Sequence, residues 1–284
     1  MKRSSSGPDG ILPVDKPEGP TSHDIVARAR RVLGQRRIGH TGTLDPFASG
    51  LLLLCLGAST RLAEYLVSLP KRYEAVARLG ARTDTDDRTG EVLARSEAWR
   101  TLDLAVIERA LRRQVGPLEQ RPPSYSAKKV EGERLYARAR RGESVVAEPV
   151  EVEIHGIDVL EIAPPDVRFS VVCSSGTYIR AIARDLGEAL GVGGHLVDLR
   201  RAAIGGFDVA AAVSTDGLGD ADAVARALIA PLDALAHLPR LDVSEDVAHG
   251  LAHGRAWREA GGPDAERVAI AHDGRLVAVG ELLG

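Results

Sequence analysis

A chain of 284 residues, 44% hydrophobic and 27% charged, is long enough to bury a core, and its net charge of −3 gives no first sign of a polyanionic partner. No apolar run approaches the roughly 20 residues a membrane helix needs; Met1–Gly10 lacks the apolar core of a signal peptide, and Cys55 and Cys173 have no Cys or His neighbours at metal spacing. A helical membrane protein, a zinc ribbon and a disulfide scaffold are thereby set aside, and the cytoplasm is the expected compartment.

In chain order, a polar tail over 1–8, expected to be disordered, leads into the apolar segment Ile11-Leu12-Pro13-Val14. Thr21-Ser22 offers an N-cap, and Ile25, Ala29, Val32 and Leu33 repeat at helical spacing up to Gly34, with Arg28, Arg30 and Arg31 mainly off that stripe. Three glycines and a proline make Gly39–Gly50 an irregular loop, which feeds the apolar run Leu51–Leu56, a buried strand. Tyr73, Ala75, Ala77 and Leu79 alternate as in a half-buried strand, Thr83–Gly90 is turn-rich, and residues 102–115 read as a helix. Pro122-Pro123 opens a basic insertion running to about residue 148. Two further alternating strands surround 150–154 and 167–173; a turn at Ser174–Thr177 then starts a helix whose face is Ile179, Ile182, Ala183, Leu186 and Leu190. From about 237 the chain turns acidic and Gly-rich, with a hairpin across Asp273-Gly274. This mixture predicts an α+β fold with a main domain over 9–236 and a small module over 237–284.

Charge is unevenly distributed. Residues 1–150 carry 26 Lys/Arg against 19 Asp/Glu, and residues 151–284 carry 11 against 21. The basic residues group at Arg28–Arg37 and again between Arg121 and Arg141, a localised positive surface of the kind phosphate contacts need, although solvated helix faces would look the same. Asp84-Thr85-Asp86-Asp87 does not continue as a calcium loop, because Arg88 and Thr89 stand where an oxygen ligand and a glycine belong. His249 and His253 share a helical spacing but lack the glutamate and third ligand of a zinc site, so no metal is expected. Asp45, held before Pro46 in the glycine-rich loop, is on its own more often a turn former than a catalyst.

Gly39–Gly50 reads GHTGTLDPFASG and closely resembles the signature loop of the TruB-type, tRNA pseudouridine synthase B family. Further blocks resemble that family in its order: Val14-Asp15-Lys16-Pro17 with Thr21-Ser22; Lys71-Arg72-Tyr73 with Leu79-Gly80 and Thr83–Asp87; Pro122–Lys128; Cys173–Arg180; and Leu199-Arg200-Arg201. Together they cover roughly residues 8–207, and several blocks in register are specific where one is not. The sequence departs from the pattern at Arg61, where Lys is expected, and at Ser49, where Thr is usual.

The resemblance implies a mixed, mostly antiparallel sheet flanked by helices, with a β-rich, PUA-like C-terminal module. It implies isomerisation of a T-loop uridine of tRNA, at position 55, to its C-glycoside, without a cofactor or an obligate protein partner, by a chain expected to be monomeric. Asp45 would be the nucleophile, Arg180 its ion-pair partner, and Tyr73 a stacking and proton-transfer group. Tyr178 and Leu199 would close the pocket, His40 would hold the opened RNA loop, and Lys16 and the insertion would contact phosphates. Asp87 is a further, weaker substrate-side candidate. Competing expectations are a non-catalytic tRNA-binding or folding protein on the same scaffold, a nucleosidase using Asp45 with a second carboxylate, and a subunit of a guide-RNA modification complex.

Overall fold

The computed structural model describes residues 7–123, 129–130, 133–134, 148–258 and 266–281. Its frame is a ten-stranded sheet whose main strands are β1 (Gly10–Lys16), β2 (Ser49–Leu56), β3 (Lys71–Leu79), β4 (Gly116–Gln120), β5 (Val150–Ala163), β6 (Asp166–Cys173), β7 (Gly194–Ile204) and β8 (Val213–Ser214). They lie in the order β8-β1-β2-β7-β3-β6-β5-β4, antiparallel except for β1 with β8 and β2 with β7. The helices used below are α1 (Ser22–Val32), α2 (Leu104–Arg112), α3 (Ile179–Ala189) and α4 (Glu245–Ala252). The α+β expectation holds.

β2 is apolar without interruption because both of its faces are covered. Leu52, Leu54 and Leu56 pack with Ile25, Val26 and Ala29 of α1, while Leu51, Leu53 and Cys55 point to the other side. Each fully buried leucine contributes on the order of 2 kcal/mol. β3 alternates instead: Tyr73, Ala75, Ala77 and Leu79 join a core with Ile107 and Leu111 of α2 and Ile182 and Leu186 of α3. α1 begins with a capping box, in which the Asp24 amide donates to the Thr21 hydroxyl and the Thr21 amide to the Asp24 carboxylate. Its buried stripe differs by one position from the expected one. Val26 is buried and Val32 is 44% exposed, because the helix ends there and Gly34, at φ 60°, turns the chain off the sheet.

The expected irregular loop over Gly39–Gly50 is shorter at both ends. Ile38–His40 is a short strand on the edge of β2, and Ser49-Gly50 already belongs to β2, which leaves Thr41–Ala48 irregular. The basic insertion expected over about 121–148 lies outside the described residues apart from its ends and a hairpin pairing Lys129–Val130 with Glu133–Arg134; residues 1–6 of the expected N-terminal tail also lie outside them. The tail builds a sheet of its own from β9 (Arg240–Asp242), β10 (Arg267–His272) and β11 (Arg275–Glu281), with Asp273-Gly274 in the left-handed region at the hairpin turn. Its inner face joins the main core, where Ala269 and Ala271 belong to one buried cluster with Ile11, Leu51 and Leu53.

Candidate active site

Asp45 stands on the Thr41–Ala48 loop, and the chain on either side of it is tied down. Leu44, Phe47 and Ala48 are buried in the core beside β3 and α3. The Leu44 amide donates to the Ser22 hydroxyl at 2.8 Å, and that hydroxyl lies 3.2 Å from the Leu44 carbonyl. On the other side the Lys16 ammonium donates to the carbonyls of Pro17, Pro20 and Pro46. A side chain mounted this way reaches its reactive position with little reorganisation.

Arg180 meets Asp45 from the first turn of α3. Its Nε lies 3.0 Å from one carboxylate oxygen and an Nη donates at 3.4 Å to the other, a two-pronged contact. The other Nη contacts Asp87 at 3.3 Å and donates to the Thr85 carbonyl at 2.8 Å. Asp87 is itself fixed by the hydroxyls of Thr85 and Thr89 and by the Thr89 amide. Arg180 and Asp87 are each 5% exposed, whereas the Asp45 side chain keeps 35% of its surface open. Burial raises the pKa of Asp45 above the usual carboxylate value, and the Arg180 charge pulls in the opposite direction.

This open face looks into a cleft of about 280 Å³. Tyr73, Leu199, Ile179 and Leu44 supply apolar wall, Tyr178 and Val67 stand on it as well, and Lys71 and Arg201 add two cations. Tyr73 and Arg201 are opposite one another in the β3–β7 ladder, so the cross-strand register brings them together. Burial raises the pKa of the Tyr73 phenol, opposed by Arg201, and lowers the Lys71 ammonium to about 8. A mostly apolar cleft with a carboxylate at its wall has the chemistry to take a ring-shaped group and to set an oxygen nucleophile against it.

Five of the expected residues, Asp45, Tyr73, Arg180, Tyr178 and Leu199, line this cleft. Three do not. His40 stands half-buried outside the lining and accepts the Gly42 amide on Nδ1 at 3.2 Å; burial lowers its pKa and favours the neutral ring. Asp87 sits behind Arg180 and orients it. The phosphate contact expected of Lys16 does not fit its position, since the residue is 0% exposed and its ammonium is engaged by the Pro17 and Pro20 carbonyls after β1 and by the Pro46 carbonyl of the loop. Sequence reasoning missed Arg201 and Lys71 as cleft residues. Arg201 follows Leu199 by two on a strand and so shares its face, a signal the assigned role of Leu199 already contained.

Among the described residues no cluster of His, Cys, Asp or Glu is arranged to hold a metal. The aspartates of the Thr83–Gly90 turn are engaged by arginines and by backbone amides, and the His249 and His253 rings at the end of α4 lie 4.3 Å apart with His253 Nδ1 against the His249 carbonyl. No described helix is long and apolar enough to cross a membrane.

Residues 30–179 match the model of the TruB family pseudouridylate synthase N-terminal domain, and residues 180–236 match the tRNA pseudouridylate synthase B C-terminal domain. The chain is 47% identical over 285 residues to tRNA pseudouridine synthase B of Leifsonia xyli subsp. xyli, covering 97% of this chain and 93% of that protein. It is 43% identical over 282 residues to the protein of the same name from Thiobacillus denitrificans, covering 99% of this chain and 93% of that one. Among solved structures, an H/ACA ribonucleoprotein bound to a substrate RNA containing 2′-deoxyuridine has a chain that matches with a TM-score of 0.73 at 27% identity, over 96% of this chain and 77% of that chain. The chain belongs to the TruB family of pseudouridylate synthases.

Proposed function

We propose that this protein is a tRNA pseudouridine synthase that converts the T-loop uridine at position 55 to pseudouridine. The observation that carries the reading is the pairing of Asp45 with Arg180 at the wall of an apolar cleft, with one face of the carboxylate left open. The reaction breaks the bond from C1′ of the ribose to N1 of uracil, turns the base, joins C1′ to C5, and moves a proton from C5 to solvent while N1 gains one. Substrate and product are isomers, so the chemistry calls for a nucleophile and a proton acceptor and for no redox or group-carrying cofactor.

Asp45 attacks and stabilises the sugar or base electrophile, as carboxylates do in glycoside chemistry. Arg180 keeps it ionised and aimed, held in turn by Asp87. Tyr73 stacks on the base and accepts or relays the proton, and Tyr178 and Leu199 close the slot against water. The target must be flipped from its loop, and stacking on an aromatic wall offsets part of that cost. His40, outside the lining and bonded to the Gly42 amide, supports the opened loop. Exposed Arg28, Arg31, Arg36 and Arg37 and the insertion over about 121–148 offer the T-arm positive charge, a grip that weakens with salt. The module over 237–284 follows the main domain, and we place the protein in the cytoplasm as a monomer acting on free tRNA. Similarity favours a stand-alone tRNA enzyme over a guide-RNA subunit, being 47% over most of the former and 27% with the latter.

The test uses unmodified tRNA transcript with the wild type and Asp45→Ala, mapping pseudouridine by carbodiimide-blocked primer extension. Conversion confined to position 55 and lost in the variant, while tRNA binding persists, is the expected result. Binding without conversion by the wild type would replace this reading with that of an RNA-folding protein, and release of free uracil would point to a nucleosidase.

A further inference from the structure

Arg201 is the buried charge that the reaction as written leaves unused. It is 2% exposed and among the largest fully buried side chains of the molecule. Among the described residues no carboxylate lies within ion-pair distance of it. Its Nε donates to the Leu51 carbonyl at 2.7 Å and an Nη to the Gly42 carbonyl at 3.2 Å, while the cross-strand register sets Arg201 beside Tyr73 on the wall of the same cleft. Burying a cation without a counter-ion costs several kcal/mol, and an apolar side chain at such a position commonly serves a fold as well or better. The fold alone therefore gives no reason for an arginine here.

Its location supplies one. β7 runs between β2 and β3, and Arg201 faces Gly50 on one side and Tyr73 on the other. The approach to β2 is so close that a Cβ on Gly50, whose φ is 104°, would stand 2.3 Å from the Arg201 carbonyl oxygen. Gly50 ends the segment that carries Asp45, and Gly42 begins it. The Thr41 hydroxyl beside Gly42 is buried and finds no hydrogen-bond partner among the described residues; the backbone here is held by the Thr41 amide on the Leu53 carbonyl, by the Gly42 amide on His40, and by Arg201 on the Gly42 carbonyl.

We propose that Arg201 is a positioning residue for the reaction, its guanidinium tied to the loop that carries Asp45 while its charge stands beside Tyr73 in the cleft; the proposal rests on the synthase reading above. A fixed positive charge beside the phenol favours its phenolate, the form that can accept a proton. A donor fixed on the Gly42 carbonyl sets the distance between that phenol and the carboxylate. The charged and titratable groups facing the phenol are Arg201 from β7, Cys173 from β6 and Asp45 from the loop; Arg201 favours the phenolate, and Cys173 and Asp45 oppose it.

The experiment places fluorotyrosine at position 73 in the full chain and follows its titration by fluorine NMR, with and without Arg201→Met, alongside single-turnover conversion of tRNA transcript. Expected are a higher titration point at position 73 in Arg201→Met and a fall of about 100-fold in kcat, the scale of a misplacement near 1 Å, with KM for tRNA unchanged. The fold-loss from Arg201→Met is expected to be smaller in a Tyr73→Phe background than in the wild type. A folded Arg201→Met protein whose titration at position 73 does not move, or equal fold-losses in both backgrounds, would overturn the proposal. Should Arg201→Met not fold, Arg201→Lys keeps the charge, removes the fork, and is read in the same three ways. The NMR titration needs no turnover, so a wild type that converts no uridine would sink the synthase reading while the titration still decides whether Arg201 governs Tyr73.

Discussion

Arg180 and Arg184 stand one turn apart on α3, and both reach into the same Thr83–Gly90 turn. Arg180 takes Asp87 and Arg184 takes Asp86, whose positive φ of 59° shows how firmly that turn is held. Each arginine also takes a second carboxylate, Asp45 for the first and Asp185 for the second. In both networks burial raises the pKa of a carboxyl group, Asp45 in one and Asp86 in the other, and the arginine opposes it. The difference lies in what the outer carboxylate faces. Asp185 lies next to Arg184 on the same helix, whereas Asp45 comes from a distant loop and opens on the cleft. The same ion-pair chemistry fastens an element in one case and holds a carboxylate open to the cleft in the other.

The comparison can be broken in several places. The largest effect belongs to Asp45→Asn, which keeps the shape and removes the charge; conversion of tRNA is expected to fall by roughly 10⁴-fold or more with binding retained, measured by single-turnover assay and gel shift. Arg180→Met leaves Asp87 as an unpaired buried charge and is expected to cost about 3–5 kcal/mol in urea unfolding as well as activity. Arg184→Met is expected to cost about 2 kcal/mol of stability while the remaining folded protein converts tRNA at the wild-type rate. Equal catalytic losses at the two arginines would erase the distinction drawn here.

Acidity sharpens it further. Conversion needs Asp45 ionised, and burial raises its pKa, so activity is lost as pH falls and the loss begins at a higher pH than an ordinary carboxylate would give. Removing Arg180 should move that limb higher still, and removing Arg184 should leave it in place; a pH–rate profile of the three proteins checks both. The smallest expected effect is that of Asp185→Asn, about 0.5 kcal/mol in thermal unfolding, as befits a partly exposed pair.

Much of this was legible in the sequence because several signals agreed. The pairing of Asp45 with Arg180, and the meeting of Tyr73, Tyr178 and Leu199, followed from blocks whose order matches the family, and the strands followed from their alternation. What escaped was burial of charge. Lysine and arginine are rarely buried, so Lys16 read as a surface cation for phosphate, and Arg201 stood in the block Leu199-Arg200-Arg201 with no role assigned. Nothing local marks an ammonium that will be enclosed by the carbonyls of Pro17, Pro20 and Pro46, because two of those belong to the turn after β1 and the third to a loop thirty positions away. The contact between Tyr73 and Arg201 depends on strand order and register, and those are tertiary facts.

β2, dry on both faces, gives the site one more property. Leu51–Leu56 is covered by α1 on one side and by the tail sheet on the other, and it begins four residues after Phe47, on the same short stretch as Asp45. Backbone amides in such a strand exchange with solvent only when the whole molecule opens, while those of exposed loops exchange by local fraying. Asp45 is thus attached to a strand buried on both faces, whose amides are expected to be among the slowest to exchange. A substitution as remote as Ala269 or Ala271 in the tail would be felt at Asp45 as a change in how often that strand comes apart, with no change in anything Asp45 touches.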